Sequence, residues 1–266
     1  MKGVADYHIH TKFCHHATGE MEEYVRVALE KGFTEIGFAD HAPASDGYDP
    51  VHRMDLSRFP DYVERIQRLR DEFTHMNIRL GIETDFYPGF QPFLERFLQN
   101  FPIDYVVGSV HFIDGLSVFM RDGLDFSRER ERQLVRRYFA LLDGGVRSGL
   151  IDVVGHLDLV KWIFPEMREE IHVGCCNVLD TIAKEGIVLE LNTSGARKLP
   201  GEVYPGPDLL RIVHSLGIPV CLGSDAHNPE EVGEGFENAM ILLEEVGYRS
   251  KGGRVKGLSV FLPERQ

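Results

Sequence analysis

Apolar runs along this chain end repeatedly on a residue able to hold a metal ion. The runs are Val4-Ala5-Asp6-Tyr7-His8-Ile9-His10, Ile36-Gly37-Phe38-Ala39-Asp40-His41 and Arg79-Leu80-Gly81-Ile82-Glu83, followed by Tyr105 to His111, Ile151 to His156 and Pro219 to His227. Each is short and apolar enough to be a buried strand. One histidine after such a run means little. Six endings from separate parts of the chain imply strands that lie side by side, point the same way and bring their C-terminal ends to one place. That place is the mouth of a barrel, and its chemistry is that of a metal cluster.

Between the runs the pattern turns helical. Met21 to Leu29 has apolar residues at helical spacing with Gly32 as a stop, and Ser57 precedes an amphipathic stretch through Phe73. A short helix is predicted from Phe90 to Leu98, and Ser127 caps another running through Leu142 to the Gly144-Gly145 pair. Further helices are predicted over 171–184, 208–216 and 229–246, and Ile187 to Asn192 brings the strand count to seven. Strands apolar on both faces and separated by helices imply a parallel sheet covered on both sides. Metal-binding groups at many strand ends favour a closed α/β barrel over a doubly wound open sheet, which gathers its site at one switch point. The expectation is a TIM-like (β/α)7 barrel in a single domain over 1–266. Its loops at 42–53 and 113–125 are long enough to cover a site, and the Gly252-Gly253 tail reads as a final loop and short strand.

The formal net charge of -13, from 29 Lys+Arg against 42 Asp+Glu, argues against broad binding to nucleic acid or an anionic membrane. A few local cations can still hold a small phosphate ester, so the bulk charge constrains partners rather than substrate. No apolar segment reaches membrane-spanning length, and the N-terminal residues lack the apolar core of a signal peptide. Cys14, Cys175, Cys176 and Cys221 show no framework spacing, so reduced thiols and a cytoplasmic location are expected. Cys14 reads as a packed thiol, with soft metal ligation as the alternative.

His8-Ile9-His10 places two imidazoles on one face of a strand, since alternate residues point the same way. Two neutral imidazoles at that separation can grip one divalent ion. Asp225-Ala226-His227 repeats the spacing at the far end of the sequence. Glu83 supplies a carboxylate able to bridge two ions, while His41, His111 and His156 add nitrogen. Such mixed sets suit zinc, manganese or iron rather than magnesium or calcium.

His8-Ile9-His10-Thr11, Ala39-Asp40-His41, Gly81-Ile82-Glu83, Gly108-Ser109-Val110-His111, Gly155-His156 and Gly223-Ser224-Asp225-Ala226-His227 together resemble the PHP superfamily (polymerase and histidinol phosphatase) over essentially the whole chain. The resemblance implies a distorted seven-stranded barrel with a trinuclear centre. His8, His10, Glu83 and Asp225 would hold one ion, Glu83, His111 and His156 the second, and His16, His41 and His227 the third. The family's spacing after the first motif selects His16 over His15. Within the family, Cys14-His15-His16-Ala17, Asn192 to Arg197 and Val203-Tyr204-Pro205 are most similar to the monofunctional enzymes that hydrolyse L-histidinol phosphate to L-histidinol and phosphate.

A hydroxide bridging two metals is expected to attack phosphorus, with Arg197 neutralising charge on the phosphoryl oxygens. Lys161 is a second phosphate contact or a solvated helix charge. Asp225 or His227 is expected to relay a proton to the leaving alkoxide. A phosphoesterase acting on nucleotides or other small esters is the alternative within this chemistry, and a degenerate barrel serving as a metal-binding scaffold is the alternative outside it. Asp40 reads as a cap or support for neighbouring groups. Asp85 and Tyr87 read as solvated loop, with contact to the substrate's amine or imidazole as the alternative; His52, His75, His172 and His214 read as surface, Trp162 as packing, and Glu230-Glu231 and Glu244-Glu245 as solvated helix faces.

Overall fold

In the computed structural model, which describes residues 3–120, 123, 125–198 and 201–264, the seven expected strands close on themselves. They are β1 (Ala5–Ile9), β2 (Glu35–His41), β3 (Asn77–Asp85), β4 (Tyr105–Ser109), β7 (Val153–Val154), β8 (Val188–Asn192) and β9 (Val220–Gly223). They pair in that order, and β9 returns to β1, where Asp6 faces Leu222; all these pairings are parallel. Helices α1 (Met21–Glu30), α2 (Phe59–Glu72), α3 (Gln91–Asn100), α4 (Arg128–Arg147), α5 (Arg168–Glu185) and α6 (Pro207–Ser215) lie in the crossovers, and α7 (Phe236–Val246) follows β9. Among the described residues no helix is long and apolar enough to cross a membrane.

The strands are apolar on both faces because each face meets protein. Outward, Ile36, Phe38, Leu80 and Ile82 join Tyr24, Val25, Phe59, Tyr62 and Leu69 of the helices in one core. Inward, Ala5, Tyr7, Tyr105, Val107, Val153, Val188 and Cys221 fill the lower barrel. Fully burying one large side chain of this kind contributes roughly 1.5–3 kcal/mol. Tyr105 spans the interior only because Gly37 and Gly81 have no side chain. A Cβ there would come within 2.2 and 2.3 Å of the Tyr105 phenol.

The C-terminal tail departs from the expected loop and short strand. It forms an antiparallel hairpin, β10 (Tyr248–Val255) and β11 (Leu258–Pro263), with Phe261 paired to Val220 of β9. Leu258 and Val260 enter the inner core, and the Ser259 N–H donates to the Tyr7 hydroxyl at 2.7 Å. This hairpin seals the N-terminal end of the barrel, leaving the C-terminal end as the accessible mouth.

Two helix ends also differ. α4 runs through Gly144 and Gly145 to Arg147, because Phe86 packs where a Cβ on Gly145 would sit. The stretch 229–246 splits into a 3-10 turn, Pro229–Glu231, and α7, since Gly233 and Gly235 both adopt left-handed φ between them. Of the covering loops, 42–53 is fully described. The 113–125 segment begins as a small hairpin, β5 (Phe112–Ile113) with β6 (Leu116–Ser117), and lies partly outside the described residues.

Candidate metal centre

The barrel brings all the strand endings together around Glu83. Parallel register sets His41 of β2 level with Glu83 of β3, and β1 delivers His8 and His10 from the same face, both fully buried. The two carboxylate oxygens of Glu83 face different histidines. Oε2 lies 3.4 Å from His8 Nε2, 3.5 Å from His10 Nε2 and 3.1 Å from His41 Nδ1. Oε1 lies 3.0 Å from His156 Nε2 and 3.5 Å from His111 Nε2, and accepts a hydrogen bond from Ser109 Oγ at 2.6 Å. Asp225 Oδ1 sits 3.2 Å from His10 Nε2 and 4.0 Å from His8 Nε2. Near the rim, His16 Nε2 and His227 Nε2 stand 2.9 Å apart beside His41.

These atoms have the spacing of ligands. His8, His10 and Asp225 form one compact group, and His16, His41 and His227 another. Glu83 joins His8 and His156 on one side and His10 and His41 on the other. Among the described residues, the buried atoms His8 Nε2, His10 Nε2, His41 Nδ1 and Glu83 Oε2 have no hydrogen-bond partner. Each such orphan costs about 1–3 kcal/mol unless something satisfies it. Divalent cations at these foci would satisfy them, so the donor set fits the metal the sequence implies. Cys14 is buried, with Sγ within reach of His10 and His227.

Asp225 and His227 lie beyond the end of β9, not on it, so their shared direction comes from a turn. Asp225 has φ 53° and His156 has φ 21°, left-handed values that cost a non-glycine residue energy and recur at functional sites.

A ring of buried groups orients these candidate ligands. Glu190 Oε1 lies 2.6 Å from His8 Nδ1, while its Oε2 accepts from the His156 N–H at 2.9 Å. A Cβ on Gly223 would lie 1.8 Å from that carboxylate. Asp85 accepts from the His111 N–H at 2.6 Å and meets its Nδ1, and Arg53 Nη2 donates to it at 2.5 Å. Asp85 is therefore not solvated loop; β3 extends far enough to bury it. Asp40 accepts from Thr11 and from the His41 N–H, the supporting part expected of it. Asp6 accepts from the Ser224 and Gly233 N–H groups, which ties β1 to the turn carrying Asp225. Sequence reasoning gave Glu190 no role, although a carboxylate inside the apolar run Val188–Asn192 was the available signal.

Crowding separates the protonation of these groups. Burial opposes charging His8, but Glu190 and Glu83 hold its pKa well above the ordinary value. Burial likewise opposes charging His10, and Asp225 and Asp40 overcome it. Burial and the neighbouring His10 depress His41, and the same two causes bring His227 down to about 3. Burial resists ionising Glu83, yet His111, His8 and His41 keep it well below the usual carboxylate range. Without a cation, the carboxylates thus draw protons onto two of the imidazoles that a metal would use.

Above the cluster lies a cavity of about 420 Å³ whose walls include Arg197, Lys198, Asp49, His52, Phe119 and Glu231. Arg197 lines it, with Nη2 donating to the Ser224 carbonyl at 2.8 Å and Nη1 buried with no hydrogen-bond partner among the described residues. Lys198, unremarked in the sequence, holds Nζ 3.6 Å from Asp225 Oδ2. Lys161 does not line the cavity. Its ammonium donates to Asp158 at 2.8 Å and to the Val203 carbonyl, and pairs with Glu202 at 2.9 Å, in a separate depression. His52 lies at the surface as expected, its side chain half exposed, and its ring meets His16 edge-on at 5.2 Å. Glu231 is not a solvated helix face, because it accepts from the His227 N–H at 2.8 Å.

A parallel barrel with histidines and a shared carboxylate at its C-terminal mouth defines a barrel metalloenzyme. The chain belongs to the PHP domain family, whose model matches residues 6–194, and a PHP-associated model matches residues 210–238. It is 42% identical over 258 residues to "Probable histidinol-phosphatase" of Deinococcus radiodurans, covering 94% of this chain and 96% of that one. It is 30% identical over 260 residues to the histidinol-phosphatase of Bacillus subtilis, covering 87% and 96%. The crystal structure of histidinol phosphate phosphatase from Lactococcus lactis, complexed with zinc, L-histidinol and phosphate, superposes with TM-score 0.76 at 26% identity, covering 92% of this chain and 94% of that one.

Proposed function

We propose that this protein hydrolyses L-histidinol phosphate to L-histidinol and inorganic phosphate, using up to three divalent ions of the zinc, iron or manganese kind. The observation that carries the reading is the division of Glu83 between two sets of histidines, several of whose buried ring nitrogens have no hydrogen-bond partner among the described residues, beneath a cavity walled by Arg197 and Lys198. The full-length similarity to histidinol-phosphatases supports the choice of ester. The reading takes 1–266 as one barrel domain acting on a small phosphate monoester in the cytoplasm.

In this reading His8, His10, Glu83 and Asp225 hold one ion, Glu83, His111 and His156 a second, and His16, His41 and His227 a third. When bound, such ions supply Lewis acidity for the attack of water on phosphorus. The remaining work belongs to the chain. Arg197 offers Nη1 to a phosphoryl oxygen, a charge-assisted contact that strengthens as negative charge grows there. Lys198 adds a second cation on the same wall. Asp225 and His227, at the cavity floor, are the groups best placed to pass a proton towards the leaving oxygen. Lys161, engaged by Asp158 and Glu202, is left out of the phosphate contacts.

The test is turnover of the purified, metal-loaded protein on histidinol phosphate, a nucleoside monophosphate and an aryl phosphate under identical salt. A preference for histidinol phosphate of at least about a hundredfold in kcat/KM is expected, roughly 2.7 kcal/mol of differential transition-state binding. Equal efficiencies would leave only a general metal-dependent phosphoesterase.

A further inference from the structure

A phosphoryl group fills only part of the cavity, so its other wall residues face the leaving group. Two carboxylates outside the ligand cluster stand on those walls, Asp49 and Glu231. Glu231 is already committed. It accepts from the His227 N–H at 2.8 Å and lies 3.6 Å from Arg197 Nη2. Asp49 is different. Its Oδ1 meets His52 Nδ1 at 2.8 Å, and its nearest guanidinium, Arg53, stays 3.7 Å away while making its close contact to Asp85 at 2.5 Å. We infer that Asp49 is a specificity-determining residue that recognises a positively charged leaving group, the ammonium of an amino alcohol, on the wall of this cavity. The inference rests on the phosphatase reading above and adds the residue that would select its alcohol.

The loop is built to hold that carboxylate in place. Asp49 has φ 44°, a left-handed conformation that aspartate and asparagine accept more readily than other residues with a side chain. Its side chain is only 10% exposed although it borders the cavity. Arg53 anchors the loop from beneath, donating Nη1 to the Ala42 carbonyl at 2.9 Å. The Tyr48 ring lies over the guanidinium at 5.0 Å and stacks on Tyr87 at 3.8 Å. Because Arg53 also binds Asp85, which orients His111, the position of Asp49 is tied to that of the cluster. The cavity wall therefore carries charges of both signs. Arg197 and Lys198 suit the phosphoryl group, and Asp49 suits a cationic alcohol, for which a partly desolvated carboxylate is a strong partner.

Asp49→Asn tests this, because asparagine keeps the size and the left-handed tolerance and removes only the charge. The assay uses metal-loaded enzyme turning over an aryl phosphate, with L-histidinol and inorganic phosphate as separate inhibitors. The variant should raise the inhibition constant of L-histidinol at least about tenfold, the scale of one charge-assisted contact. Inhibition by phosphate, aryl phosphate kcat/KM and metal content should all stay within about twofold of wild type on the same scale. Asp49→Glu should recover part of the histidinol affinity. Equal weakening of both inhibitors, no change in either, or absence of histidinol inhibition in the wild type would each overturn the assignment. Wild-type enzyme that hydrolyses histidinol phosphate no better than the aryl ester would refute the substrate reading alone, since the Asp49 assignment is decided by the inhibition constants.

Discussion

Glu190 Oε1 stands 2.6 Å from His8 Nδ1, on the side of the imidazole that faces away from Glu83. The contact fixes which nitrogen of His8 is turned towards the cluster, and the other carboxylate oxygen holds the His156 backbone. Supports of this kind typically carry about 10- to 100-fold in metal affinity. Glu190→Gln should weaken metal retention by that factor while the fold persists, as measured by chelator competition and circular dichroism. Gly223→Ala should do the same, because its methyl group would displace the carboxylate. Unchanged retention in both variants would remove Glu190 from the support of the site.

Elemental analysis of remetallated protein should find close to three zinc, iron or manganese ions per chain under the ligand sets proposed above, which draw on nine residues. Glu83→Ala should lose more metal than His16→Ala, since both of its oxygens face histidines. At most one tightly held ion after remetallation would sink the trinuclear reading.

Arg197→Ala should lower kcat/KM on phosphate monoesters at least about tenfold, or roughly 1.4 kcal/mol, with metal content unchanged. Lys198→Ala should raise KM, and Lys161→Ala should leave it near wild type. A large KM effect from Lys161→Ala with none from Lys198→Ala would reverse the assignment of the second cation.

Metal binding should release protons near neutral pH. His8 and His10 have pKa values raised by Glu190, Glu83, Asp225 and Asp40 against the opposing effect of burial, so in the cation-free chain they hold protons that a metal must displace. The sign follows directly: affinity should rise with pH until the raised values are passed, and fall as pH drops below them. Calorimetric titration of zinc in two buffers of different ionisation enthalpy measures the protons released, and a count of zero would contradict the coupling.

Much of this was legible in the primary structure. Short apolar runs with helical stretches between them specify parallel strands, because only covered sheets can be apolar on both faces. Their endings named the histidines and carboxylates now found around Glu83, since residues at the C-terminal ends of barrel strands converge wherever the ring closes. Local patterns could not say which polar residues share a cavity wall. Asp85 and Glu231 read as solvated, and Lys161 as either a phosphate contact or a solvated charge, because a side chain's partner is set by distant elements. Asp85 is buried by Arg53 and His111, while Lys161 is drawn to Asp158 and Glu202. The hairpin of β10 and β11 escaped notice for the same reason. Its strands are stabilised by pairing with β9 and by Tyr7 at the base of the barrel, not by a strong alternation of their own. The sequence by itself determined the barrel strands, which follow from local periodicity, and offered the candidate metal-binding side chains, which follow from residue chemistry and the family resemblance. The tertiary structure alone decided which carboxylate orients which imidazole and which charges face the substrate, because those depend on contacts between residues far apart in the chain.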